Sequence, residues 1–407
     1  MFWKRIFPPS LDFLDAREYF IPVDYHVILE TLLRDDRLSD AERADLELVG
    51  VMLREHYHHD YHNELLELKR KFAPFNPDGE TVWEPEYSEA EKEAFRDGLM
   101  RGVTRLLEVG NYRILSEAEF NECLKLQPFS GLSVSVDTTA FETFHVYYRG
   151  VRTVPETSRF YYFWKKTREV RQLKRVFVLA RYKKEYGHKI LVKLFRDVAV
   201  ENLKIIAPEV RLALPIFDRF KIGGTVFGSI FMPLYKLLVA VTLSWVLFFT
   251  FLAFFVVAMI KGVLGFFNSR IRCMQVYSSS LYHQILSNNL GAMNSLVDQA
   301  EDQEVKEAFL AYAFLYLYRE KPLTEKELDG VIETWLEEAF HFAVDFEVDD
   351  ALRKLREKNL MEAFPDGNGE TVYRVYDIPS ALRRLDEHWD TIHMHNNKGT
   401  AEADALA

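Results

Sequence analysis

Four histidines within seven residues, His56, His58, His59 and His62 in the stretch HYHHDYH, are the side chains of this sequence best suited to metal chemistry. His58 and His62 lie four apart and share one face of a helix, as two metal ligands would. A third ligand would have to come from Glu55, Asp60 or a distant residue, because no HExxH pattern is present. The plainer reading is a polar helix face whose histidines titrate near neutrality, and whether they bind metal is left open. Asp137, Glu142, His145 and Arg149 alternate along a strand-like segment and could face one pocket, although a solvated strand face gives the same pattern. No GxxxxGK[ST], strand-borne GxGxxG, GxSxG or paired-cysteine pattern occurs. No catalytic residue and no cofactor is therefore assigned, and an enzymatic role is disfavoured. Cys123 and Cys273 are isolated thiols, which excludes a disulfide framework or a cysteine zinc site and favours a reducing compartment.

Charge is unevenly spread. Between Arg149 and Arg196 fifteen Lys and Arg face three Glu, a net of +12, while the whole 407-residue chain carries −11. Aromatic residues from Phe160 to Trp164 run directly into Lys165 and Lys166. Such a block suits anionic lipid headgroups, where each nearby cation contributes about 1 kcal/mol, or it is a solvated face that pairs with acidic parts of the same chain. Stacking on single-stranded nucleic acid would use similar residues, but no RNP, KH or zinc-finger motif supports it, and nucleic acid is disfavoured as a partner.

These residues need elements to hold them. Residues 20–125 read as helical, with capping boxes at Ser39/Glu42, Ser88/Glu91 and Ser116/Glu119. The apolar spacing after Ser39 is interrupted around Asp60, and FNPDGE at 75–80 ends the helix. From Gly131, GLSVSVD, FETFHVYYRG, VFVLARY and HKILVKLF read as strands. Further on, a box at Thr324/Glu327 opens a helix. Another helix closes at Asn359, a residue tolerant of a left-handed end, and LMEAF, PDGNG and ETVYRVYDI form a hairpin ahead of a last helix. Three helices and a hairpin is winged-helix order. From Val305 to Asp390, however, 20 acidic residues face 11 basic ones, the wrong sign for phosphate backbones.

Ile222–Phe267 carries only Lys236 and Lys261 as charges. A spanning helix needs about 20 apolar residues, so this stretch predicts a two-helix transmembrane hairpin, Ile222–Val241 and Trp245–Phe267, turning at Thr242–Ser244. Trp245 would sit at the far interface, and Arg219, Lys221, Arg270 and Arg272 on the cytoplasmic side. Gly224 and Gly228 would allow close packing of the legs. A single span over Leu237–Ile260 is the alternative. The N-terminus shows neither secretory signal nor transit peptide.

KLFRDVAVENLKIIAPEVRLALPIFDRFKIG (193–223) and LYHQILSNNLGAMNSLVDQAEDQEVKEAFLAYAFL (281–315) resemble the transmembrane protein 143 family, bacterial and mitochondrial membrane proteins sharing a domain of unknown function. The resemblance runs from about residue 140 to about 390. It implies membrane architecture and no defined activity.

The expected fold class is an α+β membrane protein. It has a helical N-terminal region (1–128), a strand-rich basic juxtamembrane region (129–221), a transmembrane hairpin (222–267), a helical plus winged-helix-like domain (268–395) and a disordered tail (396–407). The expected function is an interaction or regulatory scaffold at the cytoplasmic face of a bacterial inner membrane, or alternatively of the mitochondrial inner membrane. Its partners would be the bilayer itself, anionic headgroups, and a protein partner or a second copy. A subunit of an oligomeric transporter or channel is the alternative function, and a metal-dependent enzyme using His56–His62 a lesser one.

Overall fold

The computed structural model describes residues 14, 18–79, 85, 87–126, 133–136, 139–160, 164–186, 189–206, 210–213, 235, 245–367 and 369–392. In chain order the elements are α1 (Tyr25–Leu32), α2 (Asp40–Phe72), α3 (Glu89–Val109), β1 (Arg113–Ile114), α4 (Glu117–Lys125), β2 (Ser133–Val136) and β3 (Phe141–Phe160). Next come β4 (Trp164–Tyr182), β5 (Ile190–Ala199), α5 (Leu203–Ile206), β6 (Val210–Ala213), α6 (Trp245–Gln284), β7 (Ile285–Asn288) and α7 (Asn289–Leu317). The chain ends through β8 (Leu323–Thr324), α8 (Glu325–Phe340), α9 (Val348–Glu357), β9 (Met361–Pro365), β10 (Thr371–Val375) and α10 (Ile378–Ile392). These elements form an α+β protein of two compact units, each built from separated segments. The strand unit is 1–14 with 114–288, and the helical unit is 15–113 with 289–407.

In the strand unit one sheet has the order β1–β3–β4–β5–β7, and β2 pairs with β6 separately. β3 and β4 form a long antiparallel hairpin, from Phe141 opposite Tyr182 to Phe160 opposite Trp164. One sheet face is apolar because Val146, Tyr148, Val176, Val178 and Phe195 come into line across the strands. They pack with Phe120 and Cys123 of α4 and Leu203 and Ile206 of α5. Burying each large side chain contributes about 1.5–3 kcal/mol. Burial also pushes the Cys123 thiol up to about 12, so it is inert packing.

Among the described residues no helix is long and apolar enough to cross a membrane, which overturns the membrane fold class and the inner-membrane locations. The expected second leg does begin at Trp245, but its helix does not stop at Phe267. α6 runs unbroken for 40 residues to Gln284, through Lys261, Asn268, Arg270 and Arg272. The apolar run is thus one part of a longer helix of mixed polarity. The expected span rests on the length of the apolar run, with Trp245 and the flanking cations as anchors, and none of these fixes where a helix ends. Apart from Tyr235, the first leg, the turn and the Gly224/Gly228 pair lie outside the described residues, as do Asp137 and the tail.

The helical unit is organised around α7, which is buried at every position from Gln303 to Leu317. A helix buried on all sides sits at the centre of its layer, and α7 packs against α1, α2, α3, α8 and α9. Gly50 permits the closest approach: a β-carbon there would overlap the Tyr25 hydroxyl and press on Phe309. α2 is continuous through Asp60. Its buried stripe of Leu46, Val49, Leu53, His56, Tyr57, Tyr61, Leu65, Leu68 and Phe72 keeps helical spacing with a histidine and two tyrosines in the middle. Beyond α7, β8 joins the β9–β10 hairpin in a three-stranded antiparallel sheet of order β8–β10–β9. In this part helix, short strand, two helices and a hairpin follow one another.

Candidate functional site

Among the described residues the densest ionisable cluster lies in the helical unit, where α7 and α9 meet. Glu304 and Glu307 are three apart on α7 and so share a face, as do Asp350 and Lys354, four apart on α9. Lys354, 2% exposed, brings its Nζ to 2.7 Å from Asp350 and 3.1 Å from Glu304, with a shorter contact to Glu307. The second Glu307 oxygen accepts from Gln303 Nε2 at 2.6 Å and from Asn111 Nδ2 at 3.3 Å. Asn111 adopts a left-handed φ of 56° just after α3 and also donates to the Tyr19 carbonyl at 2.5 Å. Gln303 Oε1 accepts from Ile21 N at 3.2 Å, and Lys306 Nζ reaches the Ile21 carbonyl at 3.4 Å. The cluster therefore ties down the segment before α1 as well as α9.

Burial raises the Glu304 carboxyl to about 7 despite the pull of Lys354. Burial, with repulsion from Glu307 and Asp350, likewise raises Glu347 to about 7. Asp350 is held below the usual carboxylate range: burial opposes this, but Lys354 and Arg353 outweigh it. Desolvation would neutralise Lys354, yet Glu307, Glu304 and Asp350 hold it cationic. Glu304 therefore takes up a proton before Asp350 does. Tyr57 and Tyr61 are pushed up by burial and stay neutral phenols.

The carboxylate oxygens of Glu304, Glu307 and Asp350 lie within 4.8 Å of one another, as metal ligands do. The ammonium of Lys354 touches all three, and so already does the neutralising that a cation would do there. A saturated lysine is neither a free nucleophile nor a base. This arrangement locks two helices and a connecting segment together.

The structure separates the four sequence-singled histidines. His56 belongs to the buried stripe: Nδ1 bonds the Met52 carbonyl at 2.7 Å, and the ring stacks on His388 with centroids 5.3 Å apart. Trp389 meets His56 edge-on at 5.2 Å. His58 turns to Glu301 at 3.1 Å, and Asn63 Nδ2 meets His59 Nε2 at 3.0 Å. The His58 and His62 rings are 6.1 Å apart, and among the described residues no candidate metal-ligand group contains a histidine. Asp60 is engaged by Lys358 Nζ at 2.9 Å, and Lys358 also lies 3.5 Å from His388 Nε2. Burial first, then Lys358 and His56, lowers His388.

Of the strand quartet, the described Glu142, His145 and Arg149 do not converge either. A bulge between Phe141 and Thr143 puts Glu142 out of register, and Glu142 pairs with Arg181 at 2.9 Å. Burial lowers His145, which meets Tyr147 edge-on at 6.3 Å. Arg149 stands directly across from Arg175. Sequence reasoning missed Lys354 and its carboxylates as a centre. The available signal was two acids three apart, Glu304 and Glu307, just ahead of the apolar run from Ala308 to Leu317.

No solved structure matches this chain. Nothing in the comparisons ties it to the transmembrane protein 143 family. Residues 141–291, which hold the long hairpin, β5, α6 and β7, match a family described as protein of unknown function (DUF3754).

Proposed function

We propose that this chain is a non-catalytic interaction or regulatory protein whose recognition surface is the cationic sheet of the strand unit. The observation carrying this reading is the register. Arg149, Arg175 and Arg196 stand side by side on β3, β4 and β5, where like charges directly opposed destabilise a sheet. The helical unit supports it from the other side, since its strongest ionic cluster is closed on itself. The third helix of the expected winged-helix order also serves nucleic acid poorly. Lys354 is buried, and Arg353 is paired with Glu357 at 2.8 Å and with Asp350.

Native co-purification of the full chain tests this. Charge reversal by Arg175→Glu with Arg196→Glu should remove the partners bound by the wild type, whereas Glu304→Gln should leave them. Partners indifferent to charge reversal, or a turnover abolished by Glu304→Gln in folded protein, would overturn it.

A second reading, self-association, rests on α6. Val246, Phe249, Val256, Ile260, Val263, Phe267 and Met274 are exposed and follow a three-and-four spacing, flanked by exposed Val257, Leu264 and Ile271. Four heptads of that pattern suit the seam of a helix pair, and a second copy of α6 supplies the matching face. Light scattering should show a dimer or higher species that Ile260→Glu dissociates; a wild-type monomer would sink this reading.

A further inference from the structure

We propose that the cross-strand arginine row Arg149–Arg175–Arg196 is a binding site for a phosphate-type anion, free or as a lipid headgroup. This rests on the reading of the cationic sheet as the recognition surface and names the chemistry that surface takes. Directly paired residues on adjacent strands project to the same face, with β-carbons about 5 Å apart. Two neighbouring guanidinium forks at that spacing bracket one tetrahedral anion, and arginine's planar donors match phosphate oxygens bidentately.

Three observations support the assignment. Among the described residues Arg175 and Arg196 are matched only by backbone carbonyls: Arg175 Nη1 donates to Lys174 O at 3.0 Å, and Arg196 Nε to His283 O at 3.3 Å. Each leaves further guanidinium donors for a ligand. The adjacent acid is taken elsewhere, for Asp197 is paired with Arg152 at 2.7 Å. Finally, both outer strands turn left-handed immediately after their arginine, Gly150 at φ 71° and Asp197 at φ 53°. For the non-glycine Asp197 that conformation costs energy and is concentrated at functional sites. The two distortions fall at the same level of the sheet, beside the row.

The test uses the full chain and two probes, inorganic phosphate or pyrophosphate by calorimetry, and phosphatidylcholine vesicles with and without phosphatidic acid by sedimentation. Wild type should bind at least one probe. Arg175→Gln with Arg196→Gln should bind it about tenfold more weakly or worse, while Lys183→Gln with Lys184→Gln, an equal loss of charge at exposed positions, should bind as wild type. Arg196→Gln alone, at an exposed position, gives the same direction should the double variant fail to fold. Binding of soluble phosphate assigns a free ligand, and binding confined to phosphatidic acid vesicles assigns a headgroup. The proposal is overturned if wild type binds neither probe, if both charge-loss variants weaken equally, or if poly-glutamate competes as well as pyrophosphate. The last outcome would leave the interaction reading standing with an acidic protein as partner.

Discussion

Lys354 decides the character of the helical unit because it is one cation among three carboxylates in a dry place. Removing one partner of a buried ionic set leaves uncompensated charge and typically costs about 3–5 kcal/mol. Lys354→Met should therefore lower urea-unfolding stability of the helical unit by about that amount at pH 8. The cost should shrink at pH 5.5, where Glu304 is protonated. Lys354→Ala makes a sharper test. It leaves the oxygens of Glu304, Glu307 and Asp350 within 4.8 Å of one another without their ammonium. Calcium or manganese should then restore part of the lost melting temperature, and Glu307→Gln added to Lys354→Ala should abolish that restoration. An equal response to metal in wild type would show that Lys354 is not the cation of this site.

At the scale of elements, local signals were legible where a short-range rule is sufficient. All four capping boxes form with both reciprocal bonds, at Ser39/Glu42, Ser88/Glu91, Ser116/Glu119 and Thr324/Glu327. Asn359 takes the left-handed φ of 55° at the end of its helix. The candidate site was illegible because it depends on which polar residues turn inward. His56 reads as one of four histidines on a polar face, yet α2 places it on the buried stripe, and nothing local to Lys354 shows that its helix turns it inward. Even the capping boxes are unequal in ways the motif conceals. Glu42 also accepts from Tyr316 at 2.7 Å and Arg319 at 3.0 Å at the C-terminal end of α7, and its hydrogen bonds, with Ser39 foremost, lower it to about 2. Glu91 serves its own cap alone among the described hydrogen bonds. Glu42→Ala should cost about 1–2 kcal/mol and Glu91→Ala less, by thermal unfolding; equal costs would mean that the tie to α7 contributes nothing.

For the whole molecule the consequence of two interleaved units is two different responses to acid. In the helical unit Glu304 and Glu347 have folded values near 7, and Asp298 and Glu301 are also raised, chiefly by burial. A carboxyl raised on folding binds its proton more tightly in the folded state, so stability rises as pH falls through the folded value toward the unfolded one near 4.5. His388 works against this, since its folded value is lowered and stability is lost as pH falls below about 6.5. Four carboxyls against one histidine leave a net gain between pH 8 and pH 5. In the strand unit the corresponding described group is His145, also lowered by burial, which loses stability over the same interval. Below about pH 4.5 the helical unit loses stability in turn, because Glu42, Asp35 and Asp350 are lowered and must be protonated. Hydrogen-exchange mass spectrometry at pH 8 and pH 5, corrected for intrinsic rates, should show peptides from 303–317 becoming better protected at the lower pH. Peptides from 170–180 should be unchanged or less protected. Glu304→Gln should reduce the gain in the first set without touching the second. Parallel shifts in both sets would mean that the two units unfold as one and that the buried carboxyls of α7 do not govern their own unit.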